Sequence, residues 1–159
     1  MALKYIEEYR DPGVSRKIAD WITLFSGPGC PVCVTVRKDI DRCIKLARTP
    51  GVIVATFGDM MRAPGTDSSL EQERADGNTI HVRYSVFDAL DLARRYPDKP
   101  VVFLDPGVET SAPIVAASVL SAQGQGLRNH TVLSIHKRMM PVLESLMLDE
   151  TVCVDGFVL

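Results

Sequence analysis

Val101-Val102-Phe103-Leu104-Asp105-Pro106-Gly107-Val108-Glu109-Thr110-Ser111-Ala112-Pro113 reads as a buried strand, a tight turn and the first turn of a helix. Four consecutive β-branched or large apolar residues suit a strand covered on both faces. Pro113 then falls where a missing backbone N–H is harmless, in the first turn of a helix over Ala112–Gln123. A further β-rich run, Thr131–Ile135, follows. Strand, helix and strand make one crossover unit, and the same alternation extends both ways along the chain. It predicts strands at Val52–Phe57, Ile80–Tyr84, Val101–Leu104, Thr131–Ile135 and Val152–Val158. Helices are expected at Arg37–Arg48, Ser69–Asp76, Val86–Arg95, Ala112–Gln123 and Pro141–Leu148, with one more at Ser15–Ile22. The expected fold is therefore α/β: an open, mainly parallel sheet flanked by helices in a three-layer, Rossmann-like arrangement.

Local signals support these elements. Ser68 followed by Glu71 has capping-box spacing, and Ser85 with Asp88 is a looser version of it. Val36, Ile40, Cys43, Ile44 and Ala47 recur at the spacing of a buried helical stripe, as do Val86, Ala89, Leu90 and Ala93. Cys43 on that stripe and Cys153 in the last apolar run are expected in the core, where unpaired cysteine is common.

At 159 residues, 46% apolar and 24% charged, the chain suits effectively one domain: a helical segment over 1–25 and the α/β domain over 26–159. A net charge of −2 gives no general reason to expect nucleic acid, which usually wants a basic face. No run approaches the 18 apolar residues of a membrane span, and the first ten residues are charged where a signal peptide is apolar. The expected compartment is the cytoplasm, where cysteines serve as thiols, ligands or redox groups.

In an open parallel sheet, ligands bind beyond the carboxyl ends of the strands. The polar, glycine-rich segments sit there: Gly58-Asp59, Asp105 to Thr110, and His136-Lys137-Arg138. They are expected to converge on one edge. The strongest chemical signal is Ser26-Gly-Pro-Gly-Cys30-Pro-Val-Cys33-Val-Thr35. Its glycines and prolines fix a loop that holds two sulfurs close together, suited to a reversible disulfide or a soft metal ligand pair. A helix starting near Thr35, with Arg37 and Lys38, would favour a thiolate at Cys33. A closed zinc site needs four ligands, and no second pair of suitable spacing occurs; an inert pair of loop cysteines is the remaining alternative.

Asp59 could cap a turn, pair with Arg62 or bind a polar ligand. Thr110 or Ser111 is expected to cap its helix, which leaves Glu109 unexplained. His136 at a strand end is a ligand, a proton-transfer group or a surface residue. His81 and His130 read as structural or exposed. No dinucleotide or phosphate-loop fingerprint is present.

These segments, in this order, resemble the HypD family of hydrogenase-maturation proteins. The matching runs are Ser26–Val34, Thr56–Gly65, Tyr84–Leu90, Gly107–Pro113 with two changes, and the start Tyr5-Ile-Glu-Glu-Tyr-Arg-Asp11. Where the family carries a strand ending in Glu-Val-Cys-Gly-Gly-His, this chain runs from Trp21-Ile22-Thr23 into Phe25-Ser26. The resemblance thus implies a shortened form lacking that segment and the family's C-terminal, cysteine-rich part. It further implies a scaffold, working with a HypC-like small chaperone and a HypE-like cyanide donor, on which iron receives cyanide and carbon monoxide. Carried over by residue, Cys30 and Cys33 are the thiol redox pair and candidate iron ligands, and Asp59, Glu109 and His136 are candidate cleft residues. No resident 4Fe–4S cluster is expected, and iron binding is expected to need a partner. The alternatives are a small thiol–disulfide oxidoreductase and an inactive structural remnant.

Overall fold

The computed structural model describes residues 30–157. The expected helix at Ser15–Ile22, the motif residues before Cys30 and the end of the last expected strand lie outside them. The chain divides into two compact units, Met1–Cys30 and Pro31–Leu159, and everything below except Cys30 concerns the second.

Helix α1 (Arg37–Ala47) buries Ile40, Cys43, Ile44 and Ala47, the stripe its spacing predicts. It leads into β1 (Ile53–Thr56), four residues all buried, and then a 3₁₀ turn at Gly58–Arg62. Helix α2 (Leu70–Ala75) begins at Ser69, whose hydroxyl accepts from the Gln72 N–H. The cap is thus one residue later than the expected Ser68–Glu71 pair. Strand β2 (Ile80–Val82) is followed by α3 (Phe87–Arg95). Here Asp88 accepts from the backbone of Tyr84 and Ser85, while the Ser85 hydroxyl accepts from Phe87 N–H, so the looser box forms. Strand β3 (Val101–Asp105), α4 (Ala112–Gly124), β4 (His130–Ser134) and α5 (Met140–Met147) complete the described elements.

The four strands form one parallel sheet in the order β2-β1-β3-β4, with Val54 opposite Ile80, Val102 opposite Val54, and Leu133 opposite Leu104. Alternate strand residues feed two apolar clusters. Val54, Val102 and Leu104 join α1, α2, Met60, Met61 and Ile135 in the first. Ile53, Ala55, Val101 and Phe103 join Val86, Ala89, Leu92 and Ala93 in the second. Helices therefore cover both faces, and the central strands are buried throughout, as continuous apolar runs require.

Two expectations fail at the chain's end. Residues 152–157 form no strand, and Cys153 is exposed rather than core. β4 pairs only with β3 among the described residues. Instead, the Asp149 side chain accepts from the Thr151 N–H and hydroxyl, and Val152 N–H closes the turn onto the Asp149 carbonyl. Alternating apolar residues make a strand only when a neighbour takes up their backbone groups, and none among the described residues does.

Candidate functional site

The chain moves to one side of β1 when it makes β2 and to the other when it makes β3. The direction of winding therefore reverses between β1 and β3, and at such a point the carboxyl ends of adjacent strands part to leave a crevice. Gly58-Asp59 leaves β1 there, Pro106 to Glu109 leaves β3, and Ile135-His136-Lys137 leaves the adjoining β4. Asp59, Glu109 and His136 thus occupy one edge of the sheet.

Helix α1 ties these turns to the cysteine loop that precedes it. Asp41 accepts from both the N–H and the hydroxyl of Thr66, at 2.7 Å each, fastening the segment after the 3₁₀ turn. Asp39, in the first turn of the helix, accepts from the Lys137 ammonium at 2.7 Å and fastens the segment after β4. The Lys137 hydrogen bond holds the Asp39 carboxyl below its ordinary value, and the Thr66 bonds do the same for Asp41. Gly65 lies so close to α1 that a Cβ there would sit 2.8 Å from Asp41 Oδ1 and 2.9 Å from the Ser68 carbonyl. The close approach explains glycine at the end of the Thr56–Gly65 run.

Cys33 is exposed on a turn over 31–34, closed by Thr35 N–H to the Val32 carbonyl and Thr35 hydroxyl to the Pro31 carbonyl. Val32, between the two cysteines, packs against the cluster that holds Met60, Met61 and Ile135. The loop is thereby seated by the same apolar contacts as the turns after β1 and β4. The helix begins at Arg37, not near Thr35. Cys33 thus lies three residues before the Val36 N-cap. Cys30 is also exposed. Cys43 is wholly buried, and burial pushes its thiol up to about 12, which makes it an inert core residue as expected.

The other residues sort themselves by contact. Asp59 is exposed and forms no ion pair with Arg62. Both oxygens of Glu109 accept from the Met139 N–H, at 2.9 and 3.0 Å, so Glu109 caps the start of α5 and its carboxyl is held low by that bond. Ser111 stands at the N-cap position of α4 without capping it: its hydroxyl donates to the Val108 carbonyl. His81 and His130 are partly buried, and burial lowers the proton affinity of both.

One residue of the site escaped the sequence reading. Asp105 ends the buried strand β3 with no exposed surface, and His136 Nε2 lies 2.6 Å from its Oδ2. The contact is an ion-pair approach rather than a well-directed hydrogen bond, since neither Asp105 oxygen has a hydrogen-bond partner. Burial pushes the Asp105 carboxyl up, and the histidine opposes it. A charged residue closing an otherwise apolar strand was the signal in the sequence. Among the described residues, no group of three or more His, Cys, Asp or Glu side chains could hold a metal ion. Two cysteines on one loop do not amount to a closed metal site.

An open parallel α/β domain with its polar turns gathered at a switch point belongs to the class whose ligand chemistry is carried by strand-end loops. The HypD model, described as the hydrogenase formation hypA family, matches residues 9–159. Hydrogenase maturation factor HypD of Rhodobacter capsulatus is 42% identical over 146 residues, covering 92% of this chain and 39% of that protein. The Escherichia coli HypD is 37% identical over 91% of this chain and 39% of its own length. That of Azotobacter vinelandii is 39% identical over 86% and 38% respectively. The chain belongs to the HypD family, and it spans about two fifths of the length of these curated relatives. No helix among the described residues is long and apolar enough to cross a membrane.

Proposed function

We propose that this chain acts as a HypD-type scaffold in hydrogenase maturation, with iron as its cargo and the Cys30–Cys33 loop as its working thiol pair. The observation that carries the reading is the seating of that loop. Val32 packs in the cluster that holds Met60, Met61 and Ile135, and Asp39 and Asp41 of the next helix fasten the turns after β4 and β1. Val32 of the cysteine loop and the Thr56–Gly65 run, far apart along the sequence, therefore meet at one sheet edge. Soft thiolates suit iron, but two sulfurs from one loop leave coordination positions open for ligands from elsewhere. A HypC-like chaperone supplies them in this reading, and a HypE-like protein brings cyanide, with carbon monoxide completing the iron centre in the cytoplasm. Asp59, Glu109 and His136 border the space where that cargo is held.

The test is co-purification of the chain with a HypC-like partner, followed by iron analysis of the complex. Retention of the partner with iron, lost together in Cys30→Ala, supports the scaffold. No partner retention combined with rapid reduction of a model disulfide by Cys30 and Cys33 would replace it with a thiol–disulfide oxidoreductase.

A further inference from the structure

Asp105 is expensive where it stands. A carboxylate taken out of water without N–H donors loses several kcal/mol of hydration, and apolar residues fill such strand ends without that loss. Its side chain is 1% exposed, neither oxygen is hydrogen-bonded, and the one polar group beside it is the His136 ring. Two of the neighbouring charges are held elsewhere. Lys137 is held by Asp39, and Glu109 by the Met139 N–H. The carboxylate in contact with the ring is Asp105.

The same geometry excludes a hydrolytic serine. Ser111 Oγ lies 3.5 Å from His136 Nε2, the very nitrogen that faces Asp105, whereas a catalytic triad places serine and carboxylate on opposite ring nitrogens. The Ser111 proton is moreover directed to the Val108 carbonyl. Ser111 can only accept from a proton on Nε2, the nitrogen that the Asp105 carboxylate faces. That leaves Nδ1, on the side of the ring away from Asp105, with no hydrogen-bond partner among the described residues.

We propose that Asp105 is a positioning residue for His136, holding the imidazole with its proton on Nε2 and its lone pair on Nδ1. The switch-point crevice then carries one oriented proton acceptor, fitted to a small, weakly acidic ligand such as a thiol. Acceptance is a simple transfer: the ligand's proton moves to Nδ1, leaving the ligand anion beside an imidazolium balanced by Asp105, with nothing oxidised or reduced. Orientation of a histidine through its other nitrogen by a carboxylate is the same device that fixes tautomers in many sites. The assignment of the crevice as the working edge rests on the scaffold reading above; the state of the ring does not.

Long-range ¹⁵N–¹H correlation spectra of the full chain, labelled at histidine and recorded above the imidazole titration, read the tautomer directly. The expected result is Nε2–H with a bare Nδ1 for His136. In Asp105→Asn, whose amide can also donate to Nε2, the ratio of Nε2–H to Nδ1–H should fall about tenfold, the scale of losing one close charge from beside the ring. An Nδ1–H form or an even mixture in the parent chain overturns the proposal, and needs no variant. An unchanged ratio in a folded Asp105→Asn chain overturns it equally. Partner co-purification separates the two readings: a parent chain that holds no partner but shows the fixed tautomer refutes the scaffold alone.

Discussion

Adding one methyl group at Gly107 should cost more stability than at any exposed glycine of the chain. Gly107 is buried between the turn after β3 and the segment after β4, and its φ is not in the left-handed region, so any cost is steric. A Cβ there would lie 2.7 Å from His136 Cδ2 and closer still to His136 Nε2 and Ser111 Oγ. Ser111 cannot withdraw without losing its 3.0 Å bond to the Val108 carbonyl. His136 cannot withdraw without leaving Asp105. Overpacking of this kind costs about 1–3 kcal/mol. Parting the ion pair adds about 1 kcal/mol, because an abandoned Asp105 takes up a proton rather than remaining a bare buried charge. The expected loss for Gly107→Ala is about 2–4 kcal/mol. With a urea dependence of about 2 kcal/mol per molar for a small domain, the unfolding midpoint should fall by about 1–2 M. Gly124→Ala is the matched control: nothing lies within 4 Å of a Cβ at that helix end, and the change should be neutral or slightly stabilising. Equilibrium urea unfolding followed by circular dichroism decides it. A Gly107→Ala chain within about 0.5 kcal/mol of its parent would mean that the turn yields freely, and the packed Ser111–His136–Asp105 cluster would have no energetic standing.

Brief alkylation of the native chain, mapped by mass, should label Cys30, Cys33 and Cys153, all exposed, and spare Cys43 until the protein unfolds; early labelling of Cys43 would contradict its burial. Glu73, nearly buried, accepts from Arg48 at 2.7 Å and from Asn78 at 3.1 Å, and the Arg48 bond lowers its proton affinity below the ordinary 4.5. A carboxyl with a depressed folded-state value stabilises above its unfolded value and loses that contribution as pH falls through the folded one. Stability should therefore decline below about pH 4.5, and Glu73→Gln should flatten that decline; an unchanged acid limb in the variant argues against the pair. Anaerobic titration with ferrous iron should show weak binding by the isolated chain and tighter binding with a HypC-like partner, with Cys30→Ala removing both, since ligand number sets affinity. Tight binding that survives loss of Cys30 and Cys33 would put the metal elsewhere.

Repetition made the fold readable from residue order. Strand runs such as Val101–Leu104 and helical stripes such as Ile40, Cys43, Ile44 and Ala47 are periodic, and each specifies its own burial. The parallel order followed, because strands separated by helices have few other ways to pair. The same periodicity placed Asp59, Glu109 and His136 after strands, hence at one sheet edge. It misjudged Val152–Val158, since a strand's existence depends on a partner edge that local pattern does not contain. It also misplaced the Ser68 cap by one residue, and it set the start of the following helix near Thr35 where the first helical residue is Arg37. Contacts between distant segments carried the rest: Lys137 with Asp39, Thr66 with Asp41, Val32 against the Ile135 cluster, and above all Asp105 with His136. Thr66 and Asp41 lie 25 residues apart, and Lys137 and Asp39 lie 98 apart. No local rule encodes which side chains meet after such a separation. Asp105 looked like an ordinary turn residue because its cost, a carboxylate buried without hydrogen bonds, exists only once the sheet and the turn after β4 have closed over it.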